Sequence, residues 1–147
     1  MLVFPDAGGV RETFGQMGDR LAGLGYAVLI PDIYYRAGEW TPFDVATLFT
    51  DPRERARMSG LVSPLTNDAI IADAGAYAGF LLARPEVSGS AIGTTGYCLG
   101  GRMSLIAARI SRGSMPVAPR QPRPPASETA ATSAGVVGEP RARPIPA

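Results

Sequence analysis

An α/β fold, a parallel sheet flanked by helices, is predicted by two observations. Up to Arg112, short apolar runs alternate with stretches of helical period in the order β-α-β-α-β-α. One of the runs, Tyr26-Ala27-Val28-Leu29-Ile30, is continuously apolar, as expected of a strand covered on both faces of a parallel sheet.

The elements follow in order. Leu2-Val3-Phe4 begins as a strand, and Asp6-Ala7-Gly8-Gly9 reads as the loop after it. From Arg11 to Leu24 the apolar residues Phe14, Met17, Leu21 and Leu24 fall on one helical face, and Gly25 supplies the stop. The strand Tyr26–Ile30 ends at Pro31-Asp32. Ile33 to Pro64 has no clean period and holds Trp40, Pro42, Pro52 and Pro64, which predicts a long connection with one or two short helices. Thr66 or Asn67 caps a helix whose stripe is Ile70, Ile71, Ala74, Tyr77, Ala78, Leu81 and Leu82. Ala91 to Thr95 is the third strand, and Gly100 to Ile110 returns to helical spacing through Met103, Leu105, Ile106 and Ile110.

Composition narrows the function classes. A chain of 147 residues fits one small domain. Fourteen basic against thirteen acidic residues leave a net charge of +1, which gives no field for capturing nucleic acid or an anionic membrane surface, so neither partner is expected. Every basic residue is arginine, the mark of a GC-rich and hence bacterial genome. No apolar stretch approaches the ~20 residues of a membrane helix, and the first residues lack the signal-peptide pattern, so a cytoplasmic protein is expected. With one cysteine and no histidine there is neither an internal disulfide nor an ordinary zinc ligand set; no metal and no cofactor are expected. Composition changes after Arg112: all aromatic residues precede it, and Pro, Ala, Arg and Gly make up most of Gly113–Ala147. Two segments are therefore expected, an α/β domain over 1–112 and a tail over 113–147 too poor in apolar side chains to offset its ordering entropy, hence disordered.

The chemistry concentrates in Thr95-Gly96-Tyr97-Cys98-Leu99-Gly100-Gly101, where a strand pattern turns into a helix pattern. That is the setting of a nucleophile elbow, Gly-x-nucleophile-x-Gly, with cysteine as the nucleophile. The turn strains the nucleophile's backbone, and side chains two residues to either side would collide; Gly96 and Gly100 remove them. Cys98 is thereby aimed at a helix N-terminus, whose free N–H groups and dipole favour an anion. Leu99 N–H is then one oxyanion donor and Ala7 N–H, in the loop after the first strand, the second. The competing reading makes Cys98 a small core hydrophobe and the glycines plain helix–strand packing. Phosphate loops are excluded: Gly96 and Gly101 have Walker-A spacing, but Arg102-Met103 stands where Lys and Ser or Thr are needed, and no Gly-x-Gly-x-x-Gly occurs.

The segments Val10-Arg11-Glu12-Thr13, Gly25-Tyr26-Ala27-Val28, Pro31-Asp32-Ile33-Tyr34 and Gly96-Tyr97-Cys98-Leu99-Gly100-Gly101 together resemble the dienelactone hydrolase family, over most of residues 1–110. The resemblance implies a partial α/β-hydrolase fold, a Cys-Asp-His triad acting on small-molecule enol-lactones or related esters, and Cys98 as nucleophile. It places Asp6 where the family has an acidic residue, usually Glu, that tunes the resting cysteine; a loop carboxylate capping the next helix is the alternative. It places Arg57 where the family holds a substrate carboxylate, against the alternative of a solvated helix charge. Tyr34 and Trp40 could line the substrate pocket or simply pack.

Two departures stand beside the resemblance. The family's Asp and His come from later strands and loops, and here only Glu128 and Glu139 are acidic in the tail. Met1 also begins inside a strand that family members precede with others. The chain is therefore expected to be truncated at both ends relative to its relatives, with Gly113–Ala147 a frame-shifted or misassigned end, and to be weakly active or inactive. A non-catalytic remnant or interaction piece, self-associating through an exposed sheet edge, is the alternative from another class. A redox role for Cys98 would need an outside thiol. Read in the other two frames, the codons beyond Arg112 should encode His and Asp in an α/β pattern; their absence from both frames would refute the frame-shift.

Overall fold

The computed structural model describes residues 1–109. The tail predicted over 113–147, and with it the boundary at 112, lies outside the described residues. Within them the order is β1 (Leu2–Phe4), α1 (Glu12–Gly23), a 3-10 turn (Tyr35–Ala37), α2 (Pro52–Val62), α3 (Asn67–Leu82), β2 (Thr94–Gly96) and α4 (Leu99–Ala107). The fold is α/β, with a small parallel sheet and four helices among the described residues.

β1 and β2 pair in parallel, with Leu2 opposite Thr94, Val3 opposite Thr95 and Phe4 opposite Gly96. On the other side of β1 the expected strand Tyr26–Ile30 forms only a single parallel bridge, Leu2 to Leu29. β1 is short, and what it presents on that side goes to one residue: Val3 N–H donates to Leu29 O at 2.9 Å, and Met1 O accepts from Leu29 N–H at 2.9 Å. The segment is also half-buried rather than covered on both faces, and Tyr26 is 50% exposed. The run therefore lies beside β1 without forming the doubly covered strand its continuous apolar sequence predicts, because its neighbour is too short to extend the ladder.

Local chemistry bounds three of the helices. α1 closes in a Schellman motif: Gly25, at φ +88°, donates to Ala22 O, and Tyr26 N–H donates to Leu21 O. Asp51 caps α2 by accepting from Arg53 N–H at 2.8 Å, with Pro52 in the first turn. Thr66 caps α3 by accepting from Ala69 N–H at 3.2 Å. The helical faces are narrower than the sequence stripes. Leu24 and Leu105 are each 75% exposed and Ile71 is exposed, whereas Phe14, Ile70, Ala74, Ala78, Leu81 and Met103 are buried.

The core gathers on one face of β1. Leu2 and Phe4, two residues apart and so on the same side, join Ile33, Tyr34, Phe43, Leu48 and Leu65 with Ile70 of α3 and Met103 of α4. Val3, on the opposite face, is equally buried, so β1 is covered on both sides. α4 packs on both strands and on α3, and Arg102 reaches from it to Asn67 Oδ1 at 2.8 Å. Among the described residues no helix is long and apolar enough to cross a membrane.

Ile70 is fully buried in this cluster while Phe80, on the same helix, is 45% exposed. Ile70→Ala should therefore cost about 2–5 kcal/mol, read as a lowered urea midpoint, and Phe80→Ala no more than about 0.5 kcal/mol.

Candidate active site

The turn between β2 and α4 carries the one non-glycine residue with positive φ among the described residues: Cys98, at φ 52° and ψ −115°. Its thiol is exposed, and it stands at the N-cap of α4 without capping the helix through its side chain. Gly96 and Gly100 are required by close approach. A Cβ on Gly100 would overlap the carbonyl oxygens of Phe4 and Pro5, and one on Gly96 would overlap the Gly100 carbonyl. The first turn of α4 thus lies directly on the end of β1, and the loop Asp6–Gly9 leaves from that point.

This loop is tightly organised. Asp6 accepts from Arg11 through both oxygens, at 2.6 Å each, and its Oδ1 also accepts from Gly8 N–H at 2.9 Å. Gly9, at φ +76°, closes back on Asp6 O, and a Cβ there would overlap the Trp40 ring. The Arg11 bond is the main reason the Asp6 carboxyl is held below its ordinary range; burial opposes this, and the Gly8 N–H bond reinforces it. Neither Ala7 N–H nor Leu99 N–H donates a hydrogen bond among the described residues.

Tyr34 is buried, and its hydroxyl donates to Ala7 O at 2.8 Å. Burial first, then the charges of Asp6, Asp32 and Cys98, push its phenol up to about 12, so it remains a proton donor at neutral pH. Its ring meets Trp40 edge-on at 5.2 Å, and Trp40 Nε1 donates to Asp32 Oδ2 at 3.1 Å. Arg57 belongs to the outer side of the same cluster. Its guanidinium lies 3.8 Å from the Phe43 ring centre, donates to Glu54, and donates to Thr41 O at 2.6 Å.

The structure therefore brings Ala7, Asp6 and Tyr34 to the loop beside the Cys98 turn, while the hydrogen bonds of Arg57 go to Glu54 and Thr41. Asp6 neither caps α1 nor bonds Cys98; its partner is Arg11. Sequence reading missed that pair and the junction of Tyr35 and Arg36 with Asp73, in which Tyr35 donates to Asp73 Oδ1 at 2.8 Å and Arg36 binds both carboxylate oxygens. A signal was available: Asp73 falls between Ile70 and Ala74 on the buried stripe of α3, where a carboxylate needs a partner. Among the described residues no group of three or more His, Cys, Asp or Glu side chains could hold a metal ion.

A strained residue at a strand–turn–helix junction, on a parallel sheet with helices, is the architecture of the α/β-hydrolase fold. The family model described as the dienelactone hydrolase family matches residues 1–139, and the chain belongs to that family. The match runs past the change of composition at Arg112. Over 106 residues the chain is 31% identical to a protein of Methylorubrum extorquens named "Putative carboxymethylenebutenolidase". That alignment covers 72% of this chain and 34% of the relative, so the chain spans about a third of the relative's length.

Because Asp6 keeps its charge to lower pH when paired than in the unfolded chain, the pair adds stability above the ordinary carboxylate pKa of about 4. That contribution disappears as the pH falls through the lowered value. Asp6→Asn should lower stability at pH 7 by no more than about 1 kcal/mol, since the pair is partly solvated, and should flatten the stability profile between about pH 5 and pH 2 in urea titrations.

Proposed function

We propose that this chain is a hydrolase module for carboxylic ester or lactone bonds and that it acts by acyl transfer to Cys98. One observation carries the reading: an exposed cysteine held at φ 52° on the end of a parallel strand, with glycines forced at both flanking positions by backbone contact. Family membership supports the substrate class.

In this reading the thiolate electron pair of Cys98 forms a bond to the carbonyl carbon, and the carbonyl π pair moves onto oxygen. Ala7 N–H and Leu99 N–H, both without other acceptors among the described residues, stabilise that oxyanion. Its collapse expels the alcohol oxygen with the C–O pair and leaves a thioester. Asp6, bound to Arg11, acts by shaping the loop rather than by taking the thiol proton. Arg57 stands at the rim of the aromatic cluster and would exchange Glu54 for a substrate carboxylate.

The chain holds no histidine, so nothing of the imidazole type takes the thiol proton or delivers water to the thioester. Acylation without turnover is expected. Above the rate of its background hydrolysis, 4-nitrophenyl acetate should release about one nitrophenolate per chain and no more. Cys98→Ala should abolish the burst, and a burst that survives that substitution overturns the assignment. A second reading, association through the sheet edge, is favoured by β2 pairing on one side only among the described residues. No burst together with a mass that rises with concentration would favour it.

A further inference from the structure

The bonds that hold Tyr34 have a purpose beyond filling the core. The Ala7 carbonyl and the Gly8 N–H belong to one peptide unit, and both ends of that unit are bound: the carbonyl accepts from Tyr34 at 2.8 Å and the N–H donates to Asp6 Oδ1 at 2.9 Å. Ala7 N–H belongs to the preceding unit, whose Asp6 carbonyl accepts from Gly9 N–H at 2.9 Å, so the planes on both sides of the Ala7 Cα are held and the direction of Ala7 N–H is held with them. The phenol that does this is itself immobilised. The Tyr34 backbone N–H donates to Asp32 Oδ1 at 2.9 Å, and the residue is 2% exposed, its ring against Trp40 and Phe43. The next two residues are clamped to Asp73 of α3 through the Tyr35 hydroxyl and the Arg36 guanidinium.

We propose that Tyr34 is a positioning residue for the oxyanion site, its hydroxyl holding the Asp6–Gly9 turn so that Ala7 N–H faces the carbonyl oxygen of an acyl group on Cys98. This rests on the acyl-transfer reading of Cys98. Tyr34 does not touch substrate: its single proton is committed to Ala7 O, and its effect reaches the reaction through one backbone unit. The clamp on Asp73 serves as its footing, since movement of the 35–37 turn would carry the phenol with it.

Two rates on the full 147-residue chain separate this role from a merely structural one. Acylation of Cys98 by 4-nitrophenyl acetate builds charge on a carbonyl oxygen, whereas alkylation of the same thiol by iodoacetamide needs only the thiolate. Tyr34→Phe keeps the ring and removes the hydroxyl. It should slow acylation about tenfold, a part of the 10²–10³-fold that deleting an oxyanion donor outright costs, and leave the alkylation rate and its pH profile within about twofold of wild type. Asp73→Asn should act in the same direction, about threefold, and decides the question if the phenylalanine variant loses its circular dichroism signal. A wild-type chain that alkylates but shows no Cys98-dependent burst refutes the acyl-transfer reading itself. A wild-type burst with unchanged acylation in Tyr34→Phe, or with both rates falling together, overturns the role of Tyr34.

Discussion

The contact between the first turn of α4 and the end of β1 governs the rest of the site. Backbone meets backbone there, with the Phe4 and Pro5 carbonyls occupying the space a side chain on Gly100 would need, and Gly100 occupying the space a side chain on Gly96 would need. Close approach of this kind forces the connecting turn to be sharp, and Cys98 takes the backbone strain. The strain is sustained by packing on both sides, since α4 also rests on β2 and α3 and buries Met103 and Ala107.

The Asp6–Gly9 loop is organised by polar contacts as well as by the Trp40 ring packed on Gly9. Asp6 and Arg11 bracket it from within, and Tyr34 and Trp40 support it from the connection that follows the Leu29 bridge. These groups differ in how they respond to solvent. The Asp6–Arg11 pair is partly exposed and weak in energy, so its value lies in geometry. The Tyr34 bond is buried, where an unsatisfied Ala7 carbonyl would be expensive.

Much of this was legible in the sequence. The strand at Leu2–Phe4, the helices beginning near Arg11 and Thr66 and the junction at Cys98 all carry local signals: a cap, a stop glycine, or a motif whose glycines have a steric reason. The Tyr26–Ile30 run and the exposed Leu24 and Leu105 were less legible, because an apolar residue declares that it can be buried without declaring what will cover it. Partner choice was the least legible. Asp6 has several acidic and basic neighbours in the chain, and only the fold shows that it takes Arg11. Likewise, nothing short of tertiary structure joins Arg36 to Asp73.

The pairing of β1 with β2 has a kinetic consequence. Leu2 and Thr94 sit opposite each other although roughly ninety residues separate them, and a parallel pair has no hairpin to nucleate it. The chain must pay that loop-closure entropy before the elbow can meet the loop it serves. The helices can form from local contacts beforehand, so the turn at Cys98 and the end of β1 come together late in folding. A nascent or partly unfolded chain would lack the backbone contact that holds Cys98 in its turn.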